Sequence, residues 1–279
     1  MQNKMKNFLL LFAVVVQIAS CSPKQMEWVA IGDSITYLNE HLNETGNRVT
    51  KGYLTRVQEK LPNIVYTNQG YNGWTAAGIA NNIDHLNLDK ATVYSVLLGT
   101  NDWWQGRPIG QFTDYQNNTG NHTFYGSYRI IMDKLKSLNK DAKIILITPL
   151  QRADFVYVGG MTNNAWGSYK DKAGQSLAGF ADAIKTISKY EKVELLDLYN
   201  ESSLKISNLV KYKRLKDPQT GAYKNYSYPD YIAIPFNPLT DEYPYPLDAI
   251  DVTYDGLHPS DKGNEIIAGL LVEIMKKLR

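Results

Sequence analysis

Five apolar, β-rich runs recur along the chain, separated by helix-forming segments, and this alternation limits the fold more than any other feature. The runs are Trp28–Ile31, Ile64–Thr67, Thr92–Leu98, Ile144–Thr148 and Val193–Leu198. Between them lie Lys51–Leu61, Thr75–Asp84, Thr123–Leu138 and roughly Asp171–Glu191. Each run is apolar nearly throughout instead of alternating, which is the pattern of strands covered on both faces. Strands alternating with helices of this length predict parallel βαβ units. The expected fold is therefore a three-layer α/β/α sandwich, a doubly wound parallel sheet of about five strands in the flavodoxin-like order 2-1-3-4-5.

A last segment, Ser260–Leu278, sets Ile266, Leu270, Ile274 and Leu278 on one stripe with Ile267, Leu271 and Met275 beside it. That spacing predicts an amphipathic helix, and Ser260 is placed to cap it. Two stretches interrupt the alternation and read as long loops, at about 103–122 and 212–254. The second holds eight of the 20 tyrosines and six of the 11 prolines. Such loops in a compact domain are usually functional, and the tyrosine density argues against disorder. With no internal repeat, residues 21–279 read as one domain.

Residues 1–20 stand apart. Lys4 and Lys6 precede the apolar run Phe8–Val16, and Ile18-Ala19-Ser20-Cys21 follows. A basic start, a short apolar stretch and small residues predict a lipoprotein signal peptide, with Cys21 as the lipid attachment point. A membrane span would need about 20 apolar residues. The expected location is extracytoplasmic, with the lipid as the sole membrane contact. Cys21 is the only cysteine, so no internal disulfide is available. Setting aside Lys4 and Lys6 leaves 28 basic against 28 acidic residues. A neutral chain lacks the basic face that nucleic-acid binding requires.

Chemistry concentrates in four short blocks. Gly32-Asp33-Ser34 follows the first strand, Asn68-Gln69-Gly70-Tyr71-Asn72-Gly73 the second, and Gly99-Thr100-Asn101-Asp102 the third. In a parallel sheet all three share the carboxyl edge, where doubly wound folds bind ligands. Asp255-Gly256-Leu257-His258-Pro259 precedes the closing helix and can fold over the same edge. A serine nucleophile needs a base, a group orienting that base, and donors for an oxyanion. His258 supplies the base, and Asp255, three residues earlier, can turn back to hold its tautomer. The expected oxyanion donors are the backbone N–H groups of Ser34 and Gly70 and the side-chain amide of Asn101. Asp33 is expected to brace the turn.

Written as GDSIT, NQGYNG, GTND and DGLHP, these blocks resemble those of the GDSL/SGNH hydrolase superfamily, across nearly the whole chain after residue 28. The resemblance implies serine-dependent ester hydrolysis without metal or cofactor, with Ser34, Asp255 and His258 as triad and Gly70 and Asn101 as oxyanion donors. One departure is that Tyr37 and Leu38 stand where many members carry a glycine after the nucleophile block. Tyr37, Trp103 and Trp104 are candidate substrate contacts.

The expected substrate is an acylated small molecule or carbohydrate carrying short, acetyl-like groups. A lysophospholipase or longer-chain lipase of the same family is the alternative, and a non-catalytic glycan-binding lipoprotein is the alternative of another class. A dinuclear metal phosphoesterase, hinted at by Gly32-Asp33 and Gly120-Asn121-His122, lacks the paired Asp-x-His ligands such sites use.

Overall fold

The computed structural model describes residues 25–278; the leader and Cys21 lie outside the described residues. Along the chain run β1 (Met26–Gly32), α1 (Ser34–Tyr37), α2 (Tyr53–Lys60), β2 (Ile64–Gly70), α3 (Ala76–Asn82), β3 (Val93–Leu97), α4 (Thr100–Trp104), α5 (Phe112–Gln116) and α6 (Phe124–Leu138). There follow β4 (Lys143–Ile147), β5 (Phe155–Val156), β6 (Asn164–Ala165), α7 (Leu177–Glu191), β7 (Glu194–Leu196), β8 (Lys213–Lys216), β9 (Tyr223–Tyr226) and α8 (Asp261–Lys277).

The main sheet has five strands, all parallel, in the order β2-β1-β3-β4-β7. This is the predicted order, with β7 as its fifth strand. Successive residues of a strand point to opposite faces, and the two cores follow that period. Trp28 and Ala30, Val93, Ile145 and Ile147 pack with α2 and α8 on one face. Val29 and Ile31, Tyr94 and Val96, Ile144 and Leu146 pack with α3, α6 and α7 on the other. Both faces being covered explains why the runs were apolar throughout.

Ser260 caps α8, its hydroxyl accepting from the Gly263 N–H, and Lys276 and Lys277 sit at the negative end of the helix. The deepest stripe of α8 is Ile267, Leu271 and Met275, with Ile266, Leu270 and Ile274 on the flank. Three expectations change. Helix α7 starts at Leu177 behind its cap Ser176, because Ala173 and Gly174 take left-handed backbone and turn the chain before it. The stretch at 103–122 takes in the end of α4 and carries the short helix α5 in its middle, where Asp114 accepts from the Gln111 N–H at 2.9 Å.

The stretch at 212–254 contains the antiparallel hairpin β8–β9. Three of its tyrosines serve packing: Tyr231 and Tyr245 are buried, and Tyr243 donates through its hydroxyl to the Val156 carbonyl at 3.0 Å. The hairpin lobe thus closes over β5 beside the carboxyl edge of the sheet. Among the described residues no helix is long and apolar enough to cross a membrane.

Candidate active site

Strand β1 ends at Gly32, which is paired with Gly70 of β2 on one side and Leu97 of β3 on the other. The chain then reverses so sharply that a Cβ on Gly32 would lie 2.0 Å from Thr36 Oγ1. Asp33 is the N-cap of α1, accepting from the Ile35 N–H at 3.0 Å. It braces the turn as expected. Burial pushes the Asp33 carboxyl up to about 6, against the opposing pull of that N–H and of His258. Ser34 is the first residue of α1, so its N–H has no partner within the helix.

Asp255 and His258 meet Ser34 from the loop before α8. The His258 ring bonds to Asp255 Oδ2 through Nδ1 at 2.7 Å and to Ser34 Oγ through Nε2 at 2.9 Å. Asp255 is itself immobilised, because its Oδ1 accepts from the N–H groups of Leu257 (3.0 Å) and His258 (2.8 Å). This arrangement fixes the tautomer with Nδ1–H on Asp255, leaving Nε2 to accept from the serine. Phe155 stands edge-on to the imidazole and Tyr254 lies roughly parallel to it. Gly256, at φ +90°, leaves no room for a side chain: a Cβ would lie 2.0 Å from the Asp154 carbonyl.

A cavity of about 200 Å³ opens beside Ser34 and His258, with Gly73, Asn101, Trp104, Arg152 and Phe155 in its wall. A second, of about 140 Å³, shares Phe155 and His258 and adds Leu38, Glu44, Tyr157 and Tyr254. Asn101 is held by its Nδ2 donating to the Trp74 carbonyl at 2.9 Å. Asp102 on α4 and Gln105 at its C-cap grip the same loop: Gln105 donates to the Gly73 carbonyl at 3.1 Å, and Asp102 accepts from the Ala76 N–H at 2.9 and 3.1 Å. Three bonds thereby fix Gly73 relative to the Asn101 amide. Asp102 is buried, which pushes its carboxyl up to about 7 despite those N–H donors.

Not every expected residue reaches the cavity. Gly70 remains inside β2, donates its N–H to Asn68 Oδ1 at 2.9 Å, and lies against the backbone of Tyr37, which a Cβ would approach to 2.2 Å. Its N–H is already spent, and the glycine of the block that lines the cavity is Gly73. Trp103 is fully buried in the core and donates to the Gln175 carbonyl, whereas Trp104, one residue and about 100° further round α4, faces the cavity. Tyr37 stacks on His41 and donates to Glu44 at 2.9 Å; its neighbour Leu38 supplies the wall of the smaller cavity. Asn121, weighed as a metal-ligand neighbour, instead bridges the Ala77 carbonyl and Asn81. Sequence reasoning missed Gly73, Arg152 and Phe155. Gly73 carried a signal, being the second glycine of NQGYNG, while Arg152 and Phe155 had only their position after the fourth strand.

The GDSL-like lipase/acylhydrolase family model matches residues 30–266. A possible lipase from Chitinophaga pinensis is 61% identical, with a TM-score of 0.90 over 91% of this chain and 99% of that one. A protein from Lactobacillus plantarum shares the fold at 18% identity and a TM-score of 0.61, covering 91% and 98% of the two chains. The acetyl xylan esterase AlAXEase does so at 18% and 0.53, covering 89% and 99%. No curated protein matches the chain. With its four sequence blocks on one sheet edge and the family match spanning most of its length, the chain belongs to the GDSL-like lipase/acylhydrolase family of ester hydrolases.

Proposed function

We propose that this hydrolase cleaves esters through Ser34, His258 and Asp255, and that it removes short acyl groups from carbohydrate. The observation that carries the mechanism is the continuous chain from Asp255 Oδ2 through the imidazole to Ser34 Oγ, at 2.7 and 2.9 Å, on the wall of a cavity. Ser34 Oγ attacks the ester carbonyl as Nε2 takes its proton, and Asp255 stabilises the imidazolium that results. The oxyanion is received by the N–H groups of Ser34 and Gly73 and by the free amide proton of Asn101. As the tetrahedral adduct collapses, Nε2 returns the proton to the leaving alcohol. Water repeats the sequence on the acyl-enzyme, regenerating Ser34. Gly73 takes the role expected of Gly70, whose N–H is engaged by Asn68.

The short-acyl reading is supported by cavity size. The smaller cavity, about 140 Å³, is comparable with spaces of about 150 Å³ that accept benzene. That suits acetyl to butyryl groups and leaves a palmitoyl chain outside. Trp104, half-buried in the wall of the larger cavity, offers a platform for a sugar ring. Lipid attachment at Cys21 and an extracytoplasmic location complete the proposal, on the strength of the leader pattern.

The test is an acyl-length series of p-nitrophenyl esters, from acetate to palmitate, on wild type and Ser34→Ala. The expected result is a maximum at or below butyrate and a loss on the order of 10⁶ in turnover for the variant. A maximum at C8 or beyond would assign the enzyme to the longer-chain lipases. Full activity in Ser34→Ala would remove the triad from the reaction. A wild type that neither hydrolyses these esters nor is labelled by a fluorophosphonate would be a binding protein on a hydrolase fold.

A further inference from the structure

One charged group in the cavity has no role in the steps above. Arg152 is 2% exposed, follows β4 at the carboxyl edge, and shares the cavity wall with Ser34, Asn101 and His258. Its guanidinium lies 5.3 Å from the ring centre of Trp103, 5.5 Å from that of Trp104 and 6.0 Å from that of Phe155. Aromatic rings stabilise the cation through their faces but accept none of its in-plane N–H bonds. Among the described residues the guanidinium makes no salt bridge, and its buried Nε has no hydrogen-bond partner.

The carboxylates nearest to it are committed elsewhere. Asp255 serves His258, and Asp33 caps α1. Asp154 is held by Lys213 at 2.7 Å, by the Tyr169 hydroxyl at 2.6 Å and by the Gly167 N–H at 2.8 Å. These acids favour the cation at a distance while burial disfavours it, bringing Arg152 down to about 10, still charged at neutral pH. A buried charge with unused donors is costly unless something completes it.

We infer that Arg152 receives a carboxylate of the substrate, so that the esters this enzyme prefers are acylated sugar acids such as uronic acids. The inference rests on the esterase reading and names its substrate class. A guanidinium edge matches a carboxylate with two parallel hydrogen bonds, a fit that a neutral hydroxymethyl group cannot reproduce. The surroundings favour an anion as well. Lys172 lies over the rings of Trp104 (4.2 Å) and Trp166 (4.6 Å), and Lys170 over that of Trp166 (4.5 Å). Neither lysine has a salt-bridge partner among the described residues, so the rim beside Trp104 is cationic. The carboxylate belongs on the alcohol portion of the ester, because the smaller cavity contains Glu44, which would repel an anionic acyl group.

The test compares acetate release from a mono-O-acetylated methyl galacturonoside with that from its methyl ester, in which the carboxyl group is neutral. Wild type is expected to favour the acid by about 10–100-fold in kcat/KM, mostly through KM. The ratio is read within each variant, so a general loss of activity cancels. It should fall to about 1 in Arg152→Met and in Arg152→Gln, and take an intermediate value in Arg152→Lys. Should none of these fold, competitive inhibition of wild type by methyl galacturonoside, and none by its methyl ester, carries the same expectation. A wild-type ratio within twofold of 1, or one that survives loss of the guanidinium, would overturn the inference and leave Arg152 as a balance for Asp33 and Asp255. A preference for p-nitrophenyl hemisuccinate over the butyrate would also overturn it, moving the anion to the acyl side. If wild type fails even on p-nitrophenyl acetate, the esterase reading falls first, and that outcome is distinct from active enzyme without charge preference.

Discussion

The two walls of the cleft are built on different principles. One wall, carrying Ser34, Gly73 and Asn101, grows from the ends of three adjacent strands of the main sheet, each contributing a contiguous block. The other, carrying Arg152, Phe155 and Ala165, belongs to the segment between β4 and α7 and contains only the two-residue strands β5 and β6. That wall is held from outside. Lys213 of the hairpin lobe reaches Asp154, Tyr243 and Tyr245 bond to the carbonyls of Val156 and Asp154, and the Asp255–His258 loop is laced to it through Ala153 N–H on Gly256 and Val156 N–H on Asp255. The first wall is thus anchored on the sheet, whereas the second, together with the loop that carries Asp255 and His258, is held by polar and aromatic contacts from outside it.

If the second wall depends on those contacts, breaking one should cost stability far from Ser34. Lys213 is almost fully buried and pairs with Asp154, so Lys213→Met leaves a carboxylate without its cation. The expected loss is about 3–5 kcal/mol of unfolding free energy, measured by denaturant titration. A loss under about 1 kcal/mol would mean that Tyr169 and Gly167 hold Asp154 unaided, and that the hairpin lobe is a passenger.

The first wall is tested through Asn101 and the two glycines. Asn101→Ala should cost about 10²–10³ in kcat with little change in KM. A KM effect alone would make Asn101 a binding group. Gly70→Ala forces a Cβ to within 2.2 Å of the Tyr37 backbone and should destabilise by about 3 kcal/mol. Gly73, at φ +76°, has open space around it, so Gly73→Ala meets no clash and strains only its own backbone. Thermal melts of the pair separate packing from donor geometry; equal losses would blur the distinction between them.

The same contrast explains what the sequence could disclose. The sheet order was legible because buried parallel strands are apolar throughout, and the chain from Ser34 through His258 to Asp255 because one block follows the first strand and the other precedes the closing helix. The apolar run of strand two stops at Thr67, whereas β2 runs on to Gly70, so the turn of the NQGYNG block falls three residues later, toward Gly73. Trp103 and Trp104 could not be told apart without knowing that the short helix α4 turns one into the core and the other, about 100° round, into the cavity. Arg152 had no local pattern at all. Much of its environment is made by Trp103 and Trp104 from α4 and by the distant Asp255, none of which its own neighbours in sequence announce.

Beneath the first wall lies a buried acid whose titration sharpens the comparison further. Asp102 pins α3 to α4 by accepting from the Ala76 N–H, and Asn at this position keeps an acceptor of the same shape without the charge. Burial raises the Asp102 carboxyl from 3.8 to about 7, with Asp33 pushing the same way and the N–H groups of Ala76 and Ala77 pulling against them. The folded state therefore binds the proton more tightly than the unfolded chain, so this group's contribution is fullest below pH 3.8 and declines as pH rises toward about 7. Asp102→Asn removes the decline. The stability difference between variant and wild type should consequently shift in the variant's favour by about 2 kcal/mol from pH 5 to pH 7. Groups common to both proteins largely cancel in that difference. Denaturant midpoints at the two pH values supply the measurement, and parallel behaviour would mean that Asp102 titrates as an ordinary carboxylate and that the loop bearing Gly73 is held by charge after all.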